Sequence, residues 1–250
     1  MQELILVGIG TGNPDHLTLQ AIKALNFVDL ILIPRKGADK SDLADLRLQI
    51  CASVITNPAT TIAEFNLPIR DATTPDYLMR VDDWHDAIAV VWARTIAAHP
   101  GAARVAMMVW GDPSLYDSTL RIAARLVPGP KITVIPGITS IQALTAAHGI
   151  AVNDIGAPFV VTTGRQLREG GWPAGVDSVV VMLDGACSFT SVASEGVTIW
   201  WAAYVGMANQ IAISGALADV AAQIIAARAA ARAAHGWIMD VYLLRRAIRN

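Results

Sequence analysis

The sequence predicts an α/β protein of two units, a parallel sheet flanked by helices and then a smaller unit built on a mixed sheet. Three observations carry that prediction. Short apolar runs alternate with helix-like stretches through the first part of the chain, the pattern of strands joined by helical crossovers. The first run ends in Gly8, Gly10 and Gly12, a glycine-rich turn after a buried strand. Beyond Ala151 the texture shifts to more glycine and fewer intervening helices.

Taken in order, the first unit has strands expected at residues 4–7, 30–33, 62–65, 105–109 and 132–135. Helices are expected between and after them at 17–26, 41–54, 76–98, 115–126 and 138–149, with Gly149 as the C-cap of the last. In the second unit strands are expected at 159–163, 179–183, 198–204 and 238–243. Helices are expected there at 188–194 and 219–234, the latter Ala-rich, with Asp219 placed to cap or favour its positive end. Residues 206–215 read as a loop. The expected domains are 1–152 and 153–250, joined through 150–158, and the sequence shows no internal repeat.

Bulk properties exclude several classes of function. A chain of 250 residues that is 54% hydrophobic can bury a large core. Its net charge of −2 gives no basic field for nucleic acid. Cys51 and Cys187 show no CxxC spacing, so no disulfide framework is expected and a reducing cytoplasm fits. No basic segment followed by an apolar one opens the chain, so a signal peptide is not expected. The uncharged stretch 196–218 is long enough to span a bilayer, but three glycines, Asn209, Gln210 and Ser214 interrupt it. We therefore expect no membrane span.

Three loops after predicted strands stand out: 8–14, 111–116 (GDPSLY) and 136–140 (PGITS). They sit where ligands of open α/β sheets bind; glycine admits a close ligand and proline fixes the turn. A dinucleotide is not the expected ligand. Position 13 is Asn13 where the fingerprint needs glycine, Pro14 lacks a backbone donor, and the second strand ends in Pro34-Arg35 rather than an acidic residue. No phosphate-loop, HExxH or GxSxG motif occurs. His16, His85, His99, His148 and His235 are scattered and read as helix-terminal or surface residues, so no metal is expected. Trp110, Trp200 and Trp201 read as core or cleft lining. The cations Arg35, Lys36 and Lys40, and the pair Arg165 and Arg168, could be solvated surface or could face an acidic ligand.

Together the loops resemble those of the tetrapyrrole methylase family, the S-adenosylmethionine-dependent enzymes of cobalamin and siroheme synthesis. That family opens with a GxGPGD-like turn, carries a GDPxx[FY] loop after its fourth strand and then a PGxTS-like turn. Here these are GIGTGNPDHLTL, WGDPSLY and VIPGITS, in that order. Residues 10–26 and the stretch KGADKSDLADLR at 36–47 resemble the members that methylate C-1 of precorrin-5 and release acetate. Members that methylate uroporphyrinogen end the second strand in Asp-Arg and are assigned a base there. Pro34-Arg35 does not carry that base over.

The resemblance implies a two-domain fold with the active site in the cleft between the domains, a homodimer, and S-adenosylmethionine as cofactor. Matched residue by residue, the cofactor contacts fall on Gly10, Thr11, Trp110, Gly111, Asp112, Thr139 and Ser140. From the second domain they fall near Met182 or Leu183 and Tyr204 or Val205, where VVMLDG and WWAAYVGMANQ follow the family text loosely. The substrate, a reduced tetrapyrrole bearing many carboxylates, should prefer cations, and Arg35, Lys36, Arg165 and Arg168 are the candidates. For loss of the acetyl group the base candidates are Asp15, His16, Asp112 and Tyr116, with no single one named; Asp15 could instead cap the first helix. Two other readings remain open at this point: a sister methylase acting at another ring carbon, and a non-catalytic tetrapyrrole carrier.

Overall fold

The computed structural model describes residues 1–35, 41–71, 73 and 76–247. By its contacts the chain divides into Met1–Thr139 and Ser140–Asn250. That division falls thirteen residues earlier than 152/153. The helix Ser140–His148 explains the difference, because it packs on strands of the second sheet.

In the first unit the strands are β1 (Glu3–Gly8), β2 (Leu30–Arg35), β3 (Thr61–Asn66), β4 (Arg104–Val109) and β5 (Lys131–Ile135). They form one parallel sheet in the order β3-β2-β4-β1-β5. Helices α1 (Leu19–Leu25), α2 (Ser41–Val54), α3 (Tyr77–Ala97) and α4 (Thr119–Ala123) connect them. Successive strand residues point to opposite faces. Leu4, Leu6, Leu30, Leu32, Val105 and Met107 therefore pack with Ile88 and Trp92 of α3 and with Ile122 of α4. On the other face Ile5, Val7, Ile31, Ile33 and Met108 pack with Leu25 of α1 and with Ile50 and Cys51 of α2. Burial on both faces is why these strands read as unbroken apolar runs.

The strand order marks where a ligand site is expected. From β1 the chain moves outward to β2 and β3 through α1 and α2; from β4 it moves the opposite way to β5 through α4. The connections thus diverge between the neighbours β1 and β4, the topological switch point at which open α/β sheets bind ligands.

The second unit has β6 (Phe159–Thr163), β7 (Ser178–Met182), β8 (Val197–Ala203), β9 (Ile211–Ala216) and β10 (Asp240–Arg246), ordered β6-β7-β10-β8-β9. Only β6 and β7 run parallel; the other pairs are antiparallel. One face packs on α6 (Gly164–Gly170) and α7 (Leu217–His235), burying Val179, Val181, Ile199, Trp201 and Leu244 with Leu167 and Ile224. Helix α5 (Ser140–His148) packs on β8, β9 and β10.

Several expectations are corrected. Residues 211–216, expected as loop, form β9, an edge strand that alternates half-buried and exposed positions against β8. Helix α6 was not expected. The expected helix 115–126 contracts to α4, and 188–194 contracts to a 3₁₀ turn, Ser188–Ser191. Thr18, not Asp15, caps α1, accepting from Ala21 N at 3.0 Å. His85 lies neither at a helix end nor on the surface; it is buried in the middle of α3. Among the described residues no helix is long and apolar enough to cross a membrane, and no cluster of three His, Cys, Asp or Glu could hold a metal.

Candidate active site

The three loops singled out in the sequence converge on one point in the first unit. Gly8 at the end of β1, Gly111 after β4 and Gly137 after β5 stack backbone on backbone. A Cβ on Gly8 would lie 2.6 Å from Gly137 N and 2.8 Å from Gly111 O, closer than real Cβ contacts come. Gly10 and Gly111 form an isolated antiparallel bridge, with Gly111 N donating to Gly10 O at 2.8 Å. Both are left-handed, φ 72° and 61°, a conformation that glycine adopts without steric penalty. Gly111 also faces Thr139, whose Cα would be 3.5 Å from a Cβ at Gly111.

Asp112 ties the second loop to the third. Its Oδ1 accepts from Ser114 N at 2.8 Å and from Ser114 Oγ at 2.5 Å, and its Oδ2 accepts from Gly137 N at 2.9 Å. Burial pushes this carboxyl up, but the three donors outweigh it and hold it below the usual carboxylate range, so Asp112 stays anionic. Within the first loop Thr11, itself buried, places Oγ1 2.9 Å from His16 Nδ1. Asn13 organises the turn by accepting from Asp15 N, leaving Asp15 exposed. Tyr116 sits at φ 50°, rare for a residue with a side chain, and burial raises its phenol.

Behind the second loop lies a residue that sequence reasoning did not single out. Arg47 of α2 is 8% exposed, with its guanidinium 4.8 Å from the Trp110 ring centroid. Nε donates to Met108 O of β4 at 3.1 Å and Nη1 to Leu43 O at 3.2 Å. Burial pulls its pKa down to about 10, offset in part by the Asp117 charge. The basic end of KGADKSDLADLR was its only trace in the sequence. Of the expected substrate cations, Arg35 is ion-paired with Glu64 and with Asp45, the latter at 3.4 Å. Lys36 and Lys40 lie outside the described residues.

In the second unit Met182 ends β7 and Leu183 follows at φ 53°, a residue 66% exposed. Tyr204 follows β8 in the same left-handed conformation, φ 52°. Its side chain points into the core, where the hydroxyl donates to Trp237 O at 2.5 Å. Only the Tyr204 backbone is therefore presented at the strand end; Val205 beside it is buried. Ser140 opens α5 and is half-buried. Arg168 Nη1 donates to Ser188 Oγ at 3.0 Å, and Arg165 is exposed on α6.

The family described as Tetrapyrrole (Corrin/Porphyrin) Methylases matches residues 3–221. The chain belongs to that family. It is 45% identical to the precorrin-6A synthase [deacetylating] of Sinorhizobium sp, over 98% of this chain and 96% of that one. Among solved structures, a cobalamin synthesis related protein (CobF) from Corynebacterium diphtheriae is 40% identical, with TM-score 0.83, over 98% of this chain and 99% of that one. The uroporphyrin-III C-methyltransferase of Thermus thermophilus, crystallised with S-adenosyl homocysteine, shares the fold at 19% identity and TM-score 0.57, over 97% of each chain.

As a tetrapyrrole methylase the protein is an enzyme that takes its methyl group from S-adenosylmethionine. The first unit fits that cofactor. Loop segments 8–16, 110–116 and 136–139 carry no Lys or Arg, while Asp112 remains anionic, the charge balance a sulfonium cation requires. The absence of a Cβ at Gly10 lets the first loop fold this tightly, for one there would lie 2.6 Å from His16 Cβ.

Proposed function

We propose that this methylase acts on a corrin precursor, methylating C-1 of precorrin-5 and releasing acetate to give precorrin-6A. The observation that carries this reading is the 45% identity over nearly the whole chain to a precorrin-6A synthase [deacetylating]. The resemblance in the first turn and in the stretch that follows β2 points the same way.

When bound, S-adenosylmethionine supplies an electrophilic methyl on a good leaving group. The chain's own residues then have mainly to align and to exclude water. The Gly8–Gly111–Gly137 junction fixes the three loops relative to one another, and the Asp112 bridge locks the second to the third. Positioning of this kind can remove on the order of 7–11 kcal/mol of barrier. Gly10, Thr11, Trp110, Gly111, Asp112 and Thr139 are the cofactor contacts proposed in the first unit. Ser140, Met182, Leu183, Tyr204 and Val205 are those proposed in the second.

Acetate release requires water to attack the acetyl carbonyl. A base that takes the water's proton contributes about 10²–10⁴-fold. Of the four candidates, Asp112 already accepts three hydrogen bonds, and Asp15 is exposed, its backbone N–H donating to Asn13. His16 is oriented through Nδ1 by Thr11, the arrangement of a positioned base, and is the candidate this geometry favours over Tyr116. We assign substrate carboxylates to Arg35, Lys36, Arg165 and Arg168, a homodimeric state to the protein and the cytoplasm as its place. Cys51 and Cys187, both free thiols, support the last.

The test is an anaerobic incubation with precorrin-5 and methyl-labelled S-adenosylmethionine, read by mass spectrometry. Label in the macrocycle together with free acetate is expected. Label without acetate identifies a sister methylase instead, and no label with intact binding identifies a carrier.

A further inference from the structure

The loop after β7 is built around a buried carboxylate that the methyl-transfer reading does not use. Asp184 is 5% exposed. Its Oδ1 accepts from Ala186 N at 3.0 Å and Ser188 Oγ at 2.8 Å; its Oδ2 accepts from Ser188 N at 2.5 Å and Tyr242 Oη at 2.7 Å. The Asp184 carbonyl is held as well, accepting from Arg228 Nη2 of α7 at 2.8 Å. Gly164 at the start of α6 packs so closely on the carboxylate that any Cβ there would overlap it. Burial pushes this carboxyl up, yet the hydrogen bonds win and keep it ionised. The neighbouring Tyr242 phenol is raised by burial and by Asp184 itself, so it remains a donor.

So many partners on one side chain fix the peptide that follows Leu183. That residue is leucine, left-handed at φ 53° and largely exposed, so its own packing does not stabilise the conformation. A non-glycine residue in this region is disfavoured by roughly tenfold or more. Such strain persists only where surrounding structure over-determines it, and it clusters at ligand sites.

We propose that Asp184 is a positioning residue for the cofactor, a buried clamp that holds Leu183 in its left-handed conformation so that the Met182–Leu183 backbone is presented at the carboxyl end of β7. This rests on the reading that Met182 and Leu183 meet the S-adenosyl group. Asp184 touches no substrate; it acts through Leu183.

The test is a double-mutant cycle on S-adenosylhomocysteine affinity, by titration calorimetry, with wild type, Asp184→Asn, Leu183→Gly and the double variant. An asparagine amide would face two of the four donors, so Asp184→Asn is expected to weaken binding about tenfold. Glycine adopts the left-handed conformation unaided. In the Leu183→Gly background the same Asp184→Asn step is therefore expected to cost little, a coupling that a purely structural role does not produce. Should Asp184→Asn fail to fold, Tyr242→Phe removes one donor and is expected to show the same coupling at smaller size. Equal losses in both backgrounds, or full affinity in Asp184→Asn, overturn the proposal while leaving the methylase reading intact. A wild-type chain that does not bind S-adenosylhomocysteine overturns the reading itself and the proposal with it.

Discussion

Replacing Gly8 by alanine tests the glycine junction on which the site is built. The added Cβ would sit 2.6 Å from Gly137 N and 2.8 Å from both Gly111 O and Gly137 Cα. All three neighbours are main chain, so no side chain can swing away and the loops themselves must part. Overpacking that forces backbone to move costs up to about 3 kcal/mol. For a chain of this size each kcal/mol lowers Tm by roughly 2–4 °C, so a drop of up to about 6–12 °C is expected. Loop displacement should weaken S-adenosylhomocysteine binding as well, since a misplacement of about 1 Å can reduce function by about 10²-fold. Gly101→Ala is the control, for a Cβ there meets nothing within 4 Å. Differential scanning calorimetry and titration calorimetry on both variants decide the matter. If Gly8→Ala matches Gly101→Ala in Tm and in affinity, the three-loop junction does not organise the site.

Asp112→Ala strands Gly137 N and both Ser114 donors, and should cost about 1 kcal/mol in urea unfolding. Because the folded pKa of Asp112 is depressed, its contribution is present above the unfolded value and lost as pH falls through the folded one. The gap between wild type and Asp112→Ala is therefore constant above about pH 5 and closes below about pH 4; a gap closing near neutrality contradicts the assignment. His16→Gln should lower the rate of acetate release by about 10²-fold or more in steady-state assays, with S-adenosylhomocysteine binding retained. An unchanged rate removes His16 as the base. Arg35→Ala should raise KM for the macrocycle without changing cofactor affinity, and an unchanged KM leaves Arg35 as nothing more than the ion-pair partner of Glu64 and Asp45.

The sheet of the first unit was legible because strands buried on both faces read as continuous apolar runs, as LILV and LILI do. The convergence of its three loops was legible because glycine and proline at three strand ends mark close backbone approach, and the structure brings Gly8, Gly111 and Gly137 into contact. Edge strand β9 was missed since Ser214 and Gly215 imitate a turn, and its pairing with β8 is non-local. Helix α6, seven residues with a glycine at each end, is too short to show a helical period. The buried charges Arg47 and Asp184 left little trace, because burial of a charge is decided by tertiary neighbours such as Trp110 and Tyr242 rather than by local pattern. Tyr204 was legible as a strand-end position but not in direction: its ring turns inward to reach Trp237.

A ¹³C experiment on the wild-type enzyme tests the proposed reaction in one step. Incubation with ¹³C-methyl S-adenosylmethionine and precorrin-5 under anaerobic conditions, followed by NMR of the product and quantification of acetate, reads both halves of the reaction at once. A single enriched methyl on C-1 and one acetate released for each methyl transferred are expected. Enrichment at another ring carbon, or methylation without acetate, would contradict it.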